Sequence, residues 1–192
     1  MGRFQELVCD SSLEGDCEMT GKEKAVSLFK EGYNCSQSVF VAYADKYGID
    51  KEMALRLSAS FGGGMGRMRE VCGAVSGMLM VAGLETGATE GKDIKGKKAN
   101  YDMVQKMAGI YREANGSIVC KELLGLVPMA SGQEHKTLEA VQVNPPVTFQ
   151  DTQPEARTEE YYKKRPCIRL IQMACDIIEK ELYGNEEEVS LE

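Results

Sequence analysis

Cys72-Gly73-Ala74-Val75-Ser76-Gly77-Met78-Leu79-Met80-Val81-Ala82-Gly83 is the stretch on which the fold of this chain turns. Its residues are small or apolar without the period-two alternation of a half-buried strand, and Gly73 and Gly77 stand one helical turn apart. A glycine inside a helix costs about 1 kcal/mol relative to alanine. Two of them in register predict a compensating close approach by another backbone, so the stretch reads as a central helix starting near Cys72. It is too short to span a membrane.

Ahead of it lies Phe61-Gly62-Gly63-Gly64-Met65-Gly66, whose glycines cannot make a stable helix interior, followed by Arg67 and Arg69. Further upstream, Thr20 and Glu23 fit a capping box for a helix carrying Ala25, Leu28 and Phe29 and ending near Gly32. Asn34 then caps a second helix with Cys35 at its first position and Gly48 at its close, and Asp50 caps a third carrying Met53, Leu57 and Phe61. Downstream, a polar link from Glu85 to about Gly96 leads to a helix with Tyr101, Val104, Ala108 and Tyr111 on one face, stopped by Asn115-Gly116. Ser117 caps a short helix over Ile118 to Leu124 with Cys120 in its first turn. Pro166, at a first helical position, starts the last helix, whose apolar side holds Cys167, Leu170, Ile171, Ala174 and Ile178 before Gly184 stops it. All five prolines fall between Pro128 and Pro166. The expected architecture is all-α, a compact bundle of five to seven helices with a long irregular loop near 126–160. An N-terminal tail (1–20), one helical domain (21–184) and an acidic tail (185–192) complete the organisation.

The formal charge of -7 argues against a nucleic-acid surface, because phosphate backbones are gripped by clustered Lys and Arg. The first thirty residues hold Arg3, Glu6, Asp10, Glu14, Asp16 and Glu18 and no long apolar run, so a cytoplasmic, non-membrane protein is expected. Seven cysteines is an odd number, which disfavours a fully paired disulfide framework. His135 is the single histidine, which removes Ser-His and Cys-His activation and His-rich metal sets. The chemistry must lean on sulfur.

Cys35, Cys72, Cys120 and Cys167 each fall in the first turn of an expected helix, where unpaired N–H groups and the peptide dipoles favour a thiolate. That effect contributes about 0.3–2 kcal/mol per terminus. Four thiolates within about 4 Å would instead repel by roughly 1–4 kcal/mol per pair over six pairs. A fully ionised empty cluster is therefore excluded: some sulfurs keep protons, or a pair oxidises, or a cation such as zinc or an iron–sulfur core binds them. Gly63, Gly64 and Gly73 are expected to let the backbone pass close to the sulfurs or to such a cofactor. Cys175, two turns beyond Cys167, reads as core; Cys9 and Cys17 lie in a charged tail, and any of the three could act as a resolving thiol. The glycine run lacks Rossmann or Walker spacing, and the eleven methionines lack a haem attachment motif beside them. Glu159, Glu160 and the acidic run at 186–188 read as solvated surface.

In the order Tyr33-Asn34-Cys35-Ser36-Gln37, Phe61 to Gly66, Cys72-Gly73-Ala74-Val75-Ser76-Gly77, Gly116-Ser117-Ile118-Val119-Cys120 and Arg165-Pro166-Cys167, the chain resembles the C_GCAxxG_C_C family of redox-active proteins. The resemblance covers about 22–125 and 160–183. It implies four hallmark cysteines, here Cys35, Cys72, Cys120 and Cys167, and the family is similar to a domain associated with an iron–sulfur cluster in a multihaem cytochrome. The segment 126–160 and the extra Cys9, Cys17 and Cys175 depart from the pattern. The expectation is a redox-active protein, a possible oxidoreductase, whose four cysteines form one site for electron transfer or thiol/disulfide chemistry and ligate zinc or an iron–sulfur cluster. It would work with a redox partner protein, with homo-oligomerisation left open. A metal-free dithiol exchanger using Cys72 and Cys35 is the runner-up, and a helical module with structural zinc that recruits a protein partner is the alternative.

Overall fold

The computed structural model describes residues 19–130 and 152–184. Helix α1 (Gly21–Lys30) opens on the expected capping box: Thr20 accepts from the Glu23 N–H, and the Glu23 carboxylate reaches back to the Thr20 N–H at 2.8 Å. Helix α2 (Cys35–Ala44) is capped by Asn34 and runs into a 3-10 turn (Asp45–Tyr47) that Gly48 closes. Asp50 caps α3 (Lys51–Ala59), as expected. Then come the single turn α4 (Gly62–Met65), α5 (Gly73–Thr86), α6 (Ile94–Asn115), the short α7 (Cys120–Leu123), α8 (Glu159–Lys164) and α9 (Cys167–Tyr183). The protein is all-α. Among the described residues the only β pairing is an isolated antiparallel bridge between Val71 and Val119.

Helices α2 and α5 are apolar around most of their circumference, which is the pattern of a helix with neighbours on all sides. They form the centre. A Cβ on Gly77 would lie 2.8 Å from the Ser36 carbonyl oxygen and 2.9 Å from the Val39 Cβ, so the two backbones touch where the paired glycines of the Cys72 stretch predict it. Helix α2 also packs on α1 and α3, while α9 lies against α1, α2, α5 and α6. Phe29, Tyr43, Met78, Met107, Tyr111 and Ile171 are fully buried between them. Each such side chain supplies roughly 1.5–3 kcal/mol by leaving water.

Several details differ from the sequence reading. On α3 the inward face is Ala54 and Ser58, while Met53 and Leu57 are each 49% exposed. Small side chains win because α3 is clasped to α2 through its backbone: Asn34 Nδ2 donates to the Ala59 carbonyl at 2.9 Å and Gln37 Nε2 to the Leu55 carbonyl at 3.1 Å. Bulky residues on that face would hold the backbones apart. On α6, Met107 and Tyr111 are buried but Tyr101 is 61% exposed, because only the C-terminal half of this long helix reaches the core. Helix α7 is one turn and begins after Val119; Ser117 serves it from outside, accepting the Val119 N–H at 2.9 Å. Pro166 is the cap of α9 rather than its first residue. Of the expected 126–160 loop, 131–151 and both expected tails beyond residues 19–184 lie outside the described residues, and Glu159–Glu160 belong to α8. No helix among the described residues is long and apolar enough to cross a membrane.

Candidate functional site

The start of α2 is held by reciprocal hydrogen bonds. Asn34 Oδ1 accepts from the Ser36 and Gln37 N–H groups at 3.0 Å each, and Gln37 Oε1 accepts from the Asn34 N–H at 3.1 Å. This fixes Cys35 as the first helical residue. Cys72 caps α5, and its N–H donates to the Ile118 carbonyl at 2.8 Å; two residues on, the Cys120 N–H donates to the Glu70 carbonyl at 2.6 Å and the Lys121 N–H to the Arg69 carbonyl at 3.0 Å. Residues 69–72 and 118–121 thus run side by side and bring the second and third cysteines together, while α9 delivers Cys167 at its first position.

The chain between α4 and α5 makes this possible through an unusual backbone. Gly63, Gly64 and Gly66 take positive φ, and so do the non-glycine residues Met65, Arg67 and Arg69. A left-handed non-glycine residue costs roughly 1–2 kcal/mol, and such strain persists only where the surroundings over-determine it. At Gly64 a Cβ would sit 2.6 Å from the Cys120 Cβ, and at Gly73 one would sit 3.1 Å from the Cys35 Cβ. The expected close passage of glycine backbone past cysteine therefore occurs at Gly64 and Gly73. The N–H donor to sulfur is instead Ala74, which bonds Cys72.

Cys35, Cys72, Cys120 and Cys167 all line one cavity of about 290 Å3, together with Gly63, Gly64 and Gly73. Its charged lining among the described residues is four arginines, Arg67, Arg69, Arg157 and Arg165, and one carboxylate, Glu155. Arg69 is 8% exposed. Arg157 is stacked 4.5 Å from the Phe29 ring centre and 4.6 Å from that of Tyr161, and donates to the Tyr161 hydroxyl at 2.9 Å and the Tyr33 carbonyl at 3.3 Å. Glu155 Oε1 is paired with Arg165, and lies 3.7 Å from Arg69 and 3.9 Å from Arg67. The five described cysteines, including Cys175, are free thiols.

The four sulfurs are not equivalent. Cys35 rises well above the ordinary thiol range, first because it holds its proton toward Cys167, then through burial and the other three sulfurs. Cys167 moves the opposite way: the Cys35 thiol donates to it, and against the cost of burial Arg165, Arg157 and Arg69 favour its charge. Burial pushes Cys72 up to about 12, with Cys120 and Cys167 adding to the rise and Ala74 N–H and Tyr111 opposing it. Cys72 Sγ lies 3.7 Å from Tyr111 Oη, which also donates to the Leu170 carbonyl at 3.4 Å. Cys120 is raised by burial, with Arg69 pulling against it. Cys35, Cys72 and Cys120 are thus raised, and Cys167 alone is drawn toward thiolate, by the Cys35 thiol and the arginines.

The cations close in sequence to the cysteines differ in what they reach. Arg69 acts on Cys120 and Cys167, whereas Lys121 pairs with Glu70 at 3.1 Å and Lys163 and Lys164 pair with Glu159 and Glu160 on the exposed face of α8. Arg157 and Glu155 were invisible in a segment without periodicity. Tyr111 read as an apolar-face residue, and only its hydroxyl in three dimensions shows its link to sulfur. Cys175 is raised chiefly by burial, with Tyr43 pulling against it and Asp176 and Glu179 adding to it. Cys9 and Cys17 lie outside the described residues.

The donor set, four sulfurs on one cavity, is of the right chemical kind for zinc or an iron–sulfur core. As they stand, however, no three His, Cys, Asp or Glu side chains among the described residues are placed to hold a metal ion. In their present placement the sulfurs do not fit such a group.

A protein of Archaeoglobus fulgidus described as "Uncharacterized protein" is 34% identical over 128 residues, covering 62% of this chain and 85% of its own. No solved structure matches. The family described as "Putative redox-active protein (C_GCAxxG_C_C)" matches residues 33–181. That span runs from just before the Asn34 cap of Cys35 into the last turn of α9 and takes in all four cavity cysteines, and the chain belongs to the C_GCAxxG_C_C family.

Proposed function

We propose that this redox-active protein works by thiol/disulfide chemistry at its four-cysteine cavity, with Cys35 and Cys167 as the exchanging pair. The observation that carries this reading is that Cys35 and Cys167 line one cavity with four arginines, where each is the leading influence on the other and the two are shifted in opposite directions. A thiolate is the nucleophile in exchange, and Cys167 is the one sulfur whose surroundings favour that form. Cys35 is the adjacent thiol that resolves the mixed disulfide. This pairing keeps Cys35 and replaces Cys72 with Cys167, because Cys72 is engaged with Tyr111 and Ala74. Cys72 and Cys120, both raised, serve as a thiol reserve behind the pair.

A metal or iron–sulfur group in the same cavity is a second reading, favoured by the arginines, whose charge would offset an anionic cluster. It requires the sulfurs to draw together from their present positions. Anaerobic purification with metal analysis, visible absorption and thiol counting before and after oxidation separates the two. Loss of two thiols on oxidation, abolished in Cys35→Ser and in Cys167→Ser but kept in Cys72→Ser, supports the dithiol. Stoichiometric iron with charge-transfer bands would replace it with the cluster, and colourless stoichiometric zinc with no thiol loss would replace it with a structural site.

A further inference from the structure

The charge of this cavity is out of keeping with the rest of the chain. A protein of net charge -7 gathers Arg67, Arg69, Arg157 and Arg165 around its sulfurs and, among the described residues, answers them with one carboxylate, Glu155. The arginines are expensive to place there: Arg67 and Arg69 both sit at positive φ, and the side chains of Arg67, Arg69 and Arg165 are 17%, 8% and 19% exposed. Stabilising one thiolate does not account for so many. Arg67 faces the same carboxylate as Arg69 and Arg165.

Glu155 itself shows what the cluster holds. Its carboxylate is 43% exposed, belongs to the segment just ahead of α8, and reaches three guanidiniums at once. Planar, forked guanidinium groups match carboxylates through paired hydrogen bonds. A carboxylate carried on a small molecule would meet the same three groups and bring the atoms behind it into the cavity.

We propose that Arg67, Arg69 and Arg165 form a carboxylate-recognition site that Glu155 occupies in the resting protein, and that the oxidising substrate is a small, carboxylate-bearing disulfide that displaces Glu155. Its chemistry rests on the dithiol reading given above. The Cys167 thiolate attacks one sulfur of the substrate, the substrate S–S bond breaks, and the first thiolate leaves, taking the proton of Cys35. The Cys35 thiolate then attacks the Cys167 sulfur, the mixed disulfide breaks, and a second thiolate leaves and takes a proton from solvent. One substrate disulfide becomes two thiols as Cys35 and Cys167 become a disulfide.

The test compares oxidation of the fully reduced protein by dithiodipropionate, which is dianionic, hydroxyethyl disulfide, which is neutral, and cystamine, which is dicationic. Each rate is divided by that of the same disulfide with dithiothreitol. The expected order is dianion, neutral, dication, with about tenfold or more between the ends, shrinking at high salt. Glu155→Gln should raise the ratio of the dianion rate to the neutral rate, and Arg67→Gln should lower it. Calorimetry with thiodipropionate, a thioether that cannot exchange, gives the second arm: binding that tightens in Glu155→Gln and weakens in Arg67→Gln is expected.

Normalised rates that are equal for the three probes, with no thiodipropionate bound, overturn the carboxylate site and leave the dithiol reading standing. Thiodipropionate binding with no protein disulfide from any probe keeps the site and overturns the dithiol reading. Because Glu155 is half-exposed, its variant keeps the test decisive if the arginine variant fails to fold.

Discussion

Gly64→Ala tests whether the glycine run exists to let backbone pass against Cys120. The residue sits at φ +73°, and an added Cβ would lie 2.6 Å from the Cys120 Cβ, 2.9 Å from the Glu70 nitrogen and 3.0 Å from the Arg69 carbonyl carbon. None of these is the far end of a flexible side chain. Two costs therefore add: roughly 1–2 kcal/mol for a left-handed alanine and roughly 1–3 kcal/mol for overpacking. Gly66→Ala is the internal control. At φ +61° its backbone cost is similar, but its nearest neighbour is the Ser60 carbonyl oxygen at 3.8 Å, an ordinary contact. Any entropic gain from restricting the unfolded chain is common to both variants. The difference between them isolates the close approach and should be about 1–3 kcal/mol. With a urea slope of about 1–3 kcal/mol per molar, Gly64→Ala should unfold on the order of 1 M earlier than Gly66→Ala. Alkylation of Cys120 should also accelerate in the native Gly64→Ala protein, since the displaced neighbour is that residue. Equal midpoints for the two variants would refute the close-passage argument, whatever their common loss relative to the parent.

Gly77→Ala sets a gain of about 1 kcal/mol in helix propensity against an encounter at 2.8 Å with the Ser36 carbonyl oxygen, and the encounter should win by roughly 1–2 kcal/mol in thermal unfolding. Tyr111→Phe removes the hydroxyl that favours charge on Cys72, so that thiol should rise still further and alkylate more slowly, with about 1 kcal/mol of stability lost. In alkali, Cys72 keeps its proton in the folded chain up to about 12 while the unfolded chain loses it near 9.0. The native state then binds more protons, stability falls across that window by about 1.4 kcal/mol per pH unit for this group, and Cys72→Ala should shed that part of the slope in urea titrations. Cys167, displaced the other way, should be the first of the four to react with iodoacetamide as pH rises from acid, and mass-spectrometric mapping at graded pH reads the order.

What the sequence made legible was what local rules govern. The Thr20, Asn34 and Asp50 caps act through residues three positions away, and the Gly73–Gly77 pair announces a close helix contact without naming the partner. The same rules put each cysteine at a helix start, and the family pattern grouped them. Burial on α3 went the other way because Asn34 and Gln37 reach the carbonyls of Ala59 and Leu55, a contact between helices that no periodicity within α3 records. Arg157 and Glu155 were unreadable for a related reason. Their roles depend on where a segment without regular period lies against Tyr33, Tyr161 and Arg165, which is a tertiary fact.

The convergence of four helix starts also has a limit that decides the chemistry. A terminus contributes at most about 2 kcal/mol, or about 1.5 pKa units, whereas burial raises a thiol by up to about 3–5 units. Position at a helix start is therefore too weak to ionise a buried cysteine, and Cys72, buried, and Cys35, partly buried, are both raised at such starts. The discriminating groups are those that only Cys167 collects together: a donating thiol from Cys35 and the guanidiniums of Arg165, Arg157 and Arg69. Cys120 shares Arg69 and Arg165 but lacks the donor thiol among its leading influences, and it remains raised. That one sulfur of the four is drawn toward thiolate thus follows from the arrangement of charges around α9. Moving the arginines, rather than lengthening any helix, is what would transfer reactivity to another cysteine.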